Sequence, residues 1–419
     1  MIVLSFFTDH ILRNPPVLMG LIAALGLILQ KKNIAEVVKG MLLAAFGMII
    51  LQAGIGILIG TILPINQAFQ SLSAGAGGVE GLNDVTFTQA HGGDVGLAML
   101  IALILHLIIA RFTPFKNIFL TGHMIWWFPF IFVAAFVEAG LSGWLLISLS
   151  ALFSALYWSI MPFALRKYVW AVIGDQSFTL GHPTGILSLI SGFIASKVGN
   201  KSKSTEELKL PQGLSFFREA SIIGAIVIFL LWLIVGIIIP ALTGGSLVME
   251  SVNQGLSFGA GLVVMLTGVR MLIAQIVPAF KGISDKLVPN AIPALDCPVI
   301  FNYKPNAVII GFIVAMIVST IMILICNTLN VFGLILIPLV ITSFFECGTA
   351  AVIGEGQGGI KGCIIGTICA AIVMVVLVGI SAVVYSGTIQ NWMLIFGGND
   401  FSLFGPIARL FGGIFGFAQ

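Results

Sequence analysis

YVWAVIGDQSFTLGHPTGILSLISGFIAS, residues 168–196, is bounded by Arg166-Lys167 before it and Lys197 after it. It is mainly apolar, yet a membrane helix takes about 20 residues, so the stretch is too short to cross twice. Basic residues favour one side of a membrane, and their presence at both ends argues against a single crossing. The expected path is a re-entrant hairpin with its turn at Gly181-His182-Pro183-Thr184-Gly185. Gly and Pro leave backbone groups unpaired there, which is tolerable at membrane depth only against protein or a wet cavity.

A second stretch, LVPNAIPALDCPVIFNY at 287–303, lies between Lys286 and Lys304. Its prolines at 289, 293 and 298 forbid a continuous helix, so it too is expected to dip inward and return. Around these segments the composition leaves no choice of solvent. The chain has 419 residues, 59% hydrophobic and 8% charged, against about 25% charged in soluble domains. The net charge of +3 is small and its Lys and Arg are dispersed, so no nucleic-acid role is supported.

Eleven apolar runs lie near 17–30, 40–63, 95–110, 117–137, 143–165, 219–240, 255–276, 305–327, 331–345, 362–386 and 403–417. The first reads as a retained helix, since no small-residue cleavage site closes it. The fold class expected is an all-α polytopic membrane protein of about eleven spans, with re-entrant hairpins. Lys31, Lys32, Lys39, Arg111, Lys116, Arg166, Lys167, the block Lys197 to Arg218, Lys281, Lys286 and Lys304 fall in alternate loops, which are expected to be cytoplasmic. The opposite loops carry Glu80, Asp84, Asp94, Glu138, Glu250 and Asp400. The N-terminus is then outside and the C-terminus inside. Long spans end at Pro64 and at Pro278, and each is followed by a segment with an aspartate, Leu82-Asn83-Asp84 and Ala294-Leu295-Asp296. Loops of opposite sidedness make this the pattern of two inverted repeats.

Ionisable groups inside a membrane are costly and mark function by default. They are His123 in Thr121-Gly122-His123-Met124-Ile125-Trp126-Trp127, His182 at the hairpin turn and Asp296 in the second loop. Polar glue between helices is the bland alternative for the histidines. Asp296, set among prolines and apolar residues, needs a ligand, a histidine or backbone amides as partner. His106 has no polar neighbours in sequence and reads as a packing residue. Trp126 and Trp127 fit either an interfacial belt or a stacking platform for a sugar face. Gly354-Glu355-Gly356-Gln357-Gly358-Gly359 is not followed by GK[ST] and reads as a helix break rather than a phosphate loop. Cys297, Cys326, Cys347, Cys363 and Cys369 form no CxxC pair and read as packing residues. No catalytic triad, metal cluster or cofactor motif is visible, so neither cofactor nor metal is expected and catalysis by this chain alone is not.

The string Lys281-Gly282-Ile283-Ser284-Asp285-Lys286-Leu287-Val288-Pro289 through Ala294-Leu295-Asp296-Cys297 to Lys304-Pro305-Asn306-Ala307-Val308 resembles the ascorbate-type EIIC permeases of the phosphoenolpyruvate-dependent sugar phosphotransferase system. Leu51-Gln52-Ala53-Gly54, Leu120-Thr121-Gly122-His123 and Gly181-His182 extend the resemblance along the chain. It implies a homodimer in lipid, a core that carries a small sugar acid or polyol by an elevator movement, and phosphorylation by a soluble EIIB with a phosphocysteine, itself supplied by EIIA. The scaffold part is expected at 1–70, 219–280 and 403–419, and the core at 79–195 and 287–386. Carried over by position, the substrate-binding set is Asp84, Val85, Thr86, His123, Trp127, His182, Pro183, Thr184 and Asp296, with Asp296 as the possible orienting base. Trp127 and Pro183 stand where ascorbate members have glutamines, which points to a related but different polyol or sugar acid. The rival readings are a proton- or ion-coupled secondary transporter and a membrane scaffold or receptor.

Overall fold

A computed structural model describes residues 14–74, 84–207 and 219–416. The helices are α1 Pro15–Leu29, α2 Ile34–Ala74, α3 Asp84–Phe112, α4 Gly122–Glu138, α5 Gly143–Ile173, α6 Gly185–Val198, α7 Ala220–Ile238, α8 Leu247–Lys286, α9 Pro305–Thr328, α10 Val340–Val384, α11 Gln390–Phe396 and α12 Asp400–Gly416. Among the described residues seven are long and apolar enough to cross a membrane, namely α2, α3, α5, α7, α8, α9 and α10, while α1, α4 and α6 are shorter apolar helices. Large side chains such as Ile234, Ile237, Leu256 and Leu324 lie exposed on these helices, as a lipid-facing surface requires. The chain is an all-α polytopic membrane protein.

One group of helices is built on glycine contacts. α2 packs along α8, and α1 and α7 pack against the pair. A Cβ on Gly47 would come within 2.7 Å of the Leu272 backbone nitrogen, and Gly54 faces the Met265 backbone in the same way. Without side chains at these positions the two backbones touch, which is how membrane helices gain dispersion energy when lipid removes the hydrophobic drive. α2 and α8 are 41 and 40 residues long and each has one internal proline, Pro64 and Pro278. The spans expected to end at these prolines instead continue through them, to Ala74 and to Lys286.

The second group contains α3 to α6 and α9 to α12. At 1.5 Å per residue, the 45 residues of α10 would extend roughly 68 Å, about twice a bilayer core. The helix instead breaks at Gly358 (φ −145°, ψ 17°) and Gly359 (φ 60°, ψ −154°), so the expected break in the glycine run is borne out. The arms then pass closely at Gly354 and Gly362. α12 packs on α4 and α10.

Three expectations are corrected. Residues 331–339 are irregular and the helix starts at Val340, so 331–345 is not a span. Residues 117–120, read as the start of a helix, hold β1 Asn117–Phe119, because the segment pairs with another rather than with itself. Asp400, read as an exposed loop acid, is fully buried at the head of α12. Arg13, Glu80, Lys209 and Arg218 lie outside the described residues.

β1, β2 Thr179–Leu180 and β3 Ile292–Leu295 form a small parallel sheet in the order β1-β3-β2. β3 is central despite Pro293, and the alternation of the strand explains why. Ile292 N and Ala294 O bond towards β1, while Leu295 O accepts from Gly181 N beyond β2. The missing N–H of Pro293 therefore faces the side where β2 begins only at Thr179. The prolines did forbid a continuous helix here: the segment holds β3 and a single helical turn at Pro298–Phe301.

The first hairpin enters and leaves at one end of the bundle. Val172 lies against Gly356 before it, and Gly199 lies against Gly358 after it, so both arms meet the same break in α10. Lys304 reaches the same end through Ser204 (3.2 Å) and Glu355 (3.2 Å). At the other end Glu138 accepts from Gly387 N (2.9 Å) and Thr388 Oγ1 (2.8 Å), joining two loops assigned to one side by charge.

Candidate functional site

Each strand of the sheet runs into one polar residue. β1 leads through Thr121 into the first turn of α4 and His123, β2 ends two residues before His182, and β3 is followed at once by Asp296. Irregular backbone inside an apolar body must satisfy its donors and acceptors locally. Pro162 in α5 cannot donate to the Trp158 carbonyl, and Asn117 Nδ2 takes that place at 3.0 Å. Thr179 Oγ1 donates to the Pro162 carbonyl at 2.8 Å. Arg166 donates to the Lys116 carbonyl. His106 Nε2 accepts from Phe119 N at 3.0 Å, so its Nδ1 carries the proton, 2.8 Å from Ser159 Oγ. His106 is thus the packing residue its sequence context suggested, and it also satisfies the edge of β1.

His123 Nε2 is 3.8 Å from Asp296 Oδ2, and His182 Nε2 is 3.6 Å from Asp296 Oδ1. Both separations exceed hydrogen-bond length. Asp296 Oδ1 accepts from Cys297 N at 2.7 Å, while Oδ2 and His182 Nδ1 are buried with no partner. The imidazole and carboxylate atoms lie within 4.8 Å of one another, an arrangement able to take a solute hydroxyl or a cation between them. They face a cavity of about 180 Å³ that is also lined by Trp127, Phe345, Glu346, Trp392, Asn399 and Phe401. Ile55 and Ile59 of α2 also line it, so both helix groups contribute. Trp127 lies 5.0 Å from Trp392, centroid to centroid. Trp126 is buried.

Of the residues expected from sequence, His123, Trp127, His182 and Asp296 share this cavity. Pro183 and Thr184 do not line it and instead fasten the hairpin: the Pro183 carbonyl accepts from Asp400 N (2.9 Å), and Thr184 Oγ1 donates to the Glu346 carbonyl (3.1 Å). Thr86 is exposed near the start of α3 and is not among the lining residues. The side chains of Asp84 and Val85 lie outside the described residues. The cysteines are free, and Cys297, Cys326, Cys347 and Cys363 are buried.

Sequence reading missed Glu346, Asn399 and Asp400. The Asp400 carboxylate accepts from Gly185 N (2.9 Å), Ile186 N (2.8 Å) and the Tyr157 hydroxyl, capping α6 just after His182. The Tyr157 hydroxyl also lies 3.1 Å from the His182 carbonyl. The signal for Glu346 was present, since it is an acid within an apolar run. It went unread because the span drawn at 331–345 stopped one residue short of it.

The model of the EIIC-GAT family, described as PTS system sugar-specific permease component, matches residues 10–400. The curated ascorbate-specific PTS system EIIC component of Mycoplasma pneumoniae is 25% identical over 418 residues, an alignment covering 85% of this chain. The chain spans 63% of that relative's length.

Proposed function

We propose, since this chain belongs to the EIIC-GAT family of sugar-specific permease components of the phosphotransferase system, that it takes a small sugar acid or polyol across the membrane through the cavity at the strand ends. His123, His182 and Asp296 hold solute hydroxyls there, and Trp127 covers an apolar face of the solute. Ascorbate is the first solute to test, because the Mycoplasma pneumoniae relative is named as specific for it.

The observation that carries this reading is the convergence of three polar residues from three separate segments on one cavity, with Asp296 Oδ2 and His182 Nδ1 unpartnered. An orphaned buried acceptor costs about 1–3 kcal/mol. A solute hydroxyl offsets that cost, whereas residues serving only to join helices would bond directly to each other.

In the mechanism proposed, the solute is captured from outside with the N-terminus on that side. α1, α2, α7 and α8 form the scaffold of a homodimer, and the remaining helices move as a core that presents the solute to the cytoplasm; α12, placed in the scaffold by the sequence reading, is assigned to the core in this proposal because it packs on α4 and α10. Phosphorylated EIIB then approaches the basic end at Lys197, Lys201 and Lys203. The solute hydroxyl oxygen forms a bond to phosphorus as the cysteine S–P bond breaks, and the hydroxyl proton passes to Asp296 or to water. The thiolate leaves with EIIB, to be rephosphorylated by EIIA, and the charged product cannot return.

The test is uptake by reconstituted protein with and without phosphorylated EIIB. Accumulation of phosphorylated solute only with EIIB is expected. Full uptake of unmodified solute without it would favour an ion-coupled transporter. Asp296→Asn is expected to abolish solute binding while the protein stays monodisperse, and normal binding by that variant would remove Asp296 from the site.

A further inference from the structure

We infer that a basic cavity between the ends of α1 and α8 binds the phosphate headgroup of an anionic membrane lipid. The cavity measures about 370 Å³ and is lined by Lys31 and Lys32, just past α1, and by Lys281, Asp285 and Lys286 in the last two turns of α8. Ligand pockets run from about 300 to 1,000 Å³. It lies apart from the solute cavity, and no described residue lines both.

The walls are fixed. A Cβ on Gly282 would come within 1.9 Å of the Gly26 carbonyl oxygen, so the backbones of α1 and α8 touch beside the cavity. Gln30 Nε2 donates to the carbonyls of Pro278 (2.9 Å) and Ala279 (3.2 Å), which joins the end of α1 to α8 a second time. The charge is not used internally. Lys32 pairs with Glu36 at 3.2 Å, but among the described residues Lys31, Lys281 and Lys286 make no ion pair. The turn, moreover, has the shape that glycine prefers and holds a lysine. Lys31 N donates to the Ile28 carbonyl (2.8 Å) and Lys32 N to the Leu27 carbonyl (3.1 Å), the two bonds of a Schellman end. Lys31 occupies the left-handed position of that motif, φ 58°, where glycine carries no strain. Helix dipoles and the bias of basic residues to one membrane side account for lysines near these ends. They do not account for a lysine where the backbone disfavours it.

The occupant follows from what adjoins the cavity. Val17, Leu21, Leu25 and Ile28 are exposed at spacings of four, four and three, which is one face of α1, and the row ends at the turn that carries Lys31. An acyl chain along that face brings its phosphate to the lysines, whose ammonium groups donate to phosphate oxygens. A soluble anion has no use for the apolar row.

Binding of phosphatidylglycerol and of phosphatidylcholine to the purified full-length protein is measured by native mass spectrometry, for the wild type and for Lys31→Gly/Lys281→Gln. A lysine near the membrane surface is worth about fivefold in affinity for anionic lipid, so the double variant is expected to bind phosphatidylglycerol about 25-fold more weakly and phosphatidylcholine as before. Lys31→Gly eases the turn and is expected to melt no lower than the wild type in lipid-free detergent. Lys281→Gln leaves the turn intact and is expected to lose about fivefold on its own. The control is Lys167→Gln/Lys361→Gln, which removes two exposed lysines outside the cavity and is expected to keep phosphatidylglycerol binding within threefold. A loss below threefold in the double variant overturns the inference, as does an equal loss in the control. Glycerol 3-phosphate binding as tightly as the lipid overturns it too, by making the cavity a site for a soluble phosphate. A double variant that keeps lipid binding and loses EIIB-dependent phosphorylation would assign the cavity to EIIB instead.

Discussion

Asp400→Asn tests how firmly the His182 hairpin is held. The carboxylate takes three donors, Gly185 N, Ile186 N and the Tyr157 hydroxyl, and a charged acceptor at a helix N-terminus also meets the positive end of the 14-residue α6. An asparagine keeps one carbonyl oxygen and turns an amino group towards the remaining donors. At least one buried N–H is then left unpaired, at a cost of about 1–3 kcal/mol, and charge assistance is lost from the rest. Taking about 2 kcal/mol as the net loss of tethering, the ratio of held to released hairpin falls roughly 30-fold, which is the largest factor by which solute affinity can weaken. Binding measured by calorimetry on monodisperse protein, with the folded fraction checked by near-ultraviolet circular dichroism, reads this directly. Tyr157→Phe removes a single donor and is expected to weaken affinity by less than about tenfold. Affinity within threefold of wild type for Asp400→Asn would refute the reasoning, since it would show that the hairpin keeps its place without this cap.

Further expectations concern the end where both hairpin arms meet. Burial raises Glu206 above the ordinary carboxylate range, against opposing hydrogen bonds from Asn306 and Thr205 and the charge of Lys304. The proton therefore binds more tightly in the folded protein, so its contribution to stability is full below the unfolded-state value and is lost as pH rises through the folded one. Glu206→Gln should flatten that part of a melting-temperature profile taken upward from about pH 4. Lys304 and Glu355 form a part-buried ion pair at 3.2 Å. Lys304→Met is expected to destabilise by up to about 3 kcal/mol by removing the cation beside buried Glu355, which keeps its hydrogen bonds from Ser204 and Thr205, and a denaturation cycle with Glu355→Gln measures the pair. Gly359→Ala places a Cβ at φ 60°, ψ −154° against the carbonyls of Asn200 and Lys203. A loss of about 1–3 kcal/mol is expected, together with faster cleavage of residues 199–207 under limited proteolysis.

The sequence revealed this protein where chemistry conflicts with its solvent. His182 and Asp296 stood out because a polar residue among prolines in an apolar chain has few explanations, and the structure brings both to one cavity with His123. The break at Gly358-Gly359 was legible for a similar reason, since six residues containing four glycines cannot sustain an ordinary span. What stayed hidden depends on distance along the chain. Nothing in Asn117–Phe119 announces that it pairs with Ile292–Leu295, because parallel strands are joined by whole helices and short ones have no periodicity to read. Asp400 looked like a loop acid because its partners, Gly185 and Ile186, lie 215 and 214 residues away. Thr184 donates to the Glu346 carbonyl and does not line the cavity, a side-chain direction that no sequence position encodes.

The three-stranded sheet acts as a ruler. Ala294 stands level with Phe119 on one side and Thr179 on the other, and the chain then delivers His123, His182 and Asp296 just beyond that line. Strand residues advance about 3.3 Å each and alternate faces, so one residue inserted into β2 would push His182 deeper by that distance and turn its imidazole away from Asp296. Loops and helix lengths elsewhere leave this geometry alone, but a change in the count of residues from the first strand pairing to any of these three side chains would not.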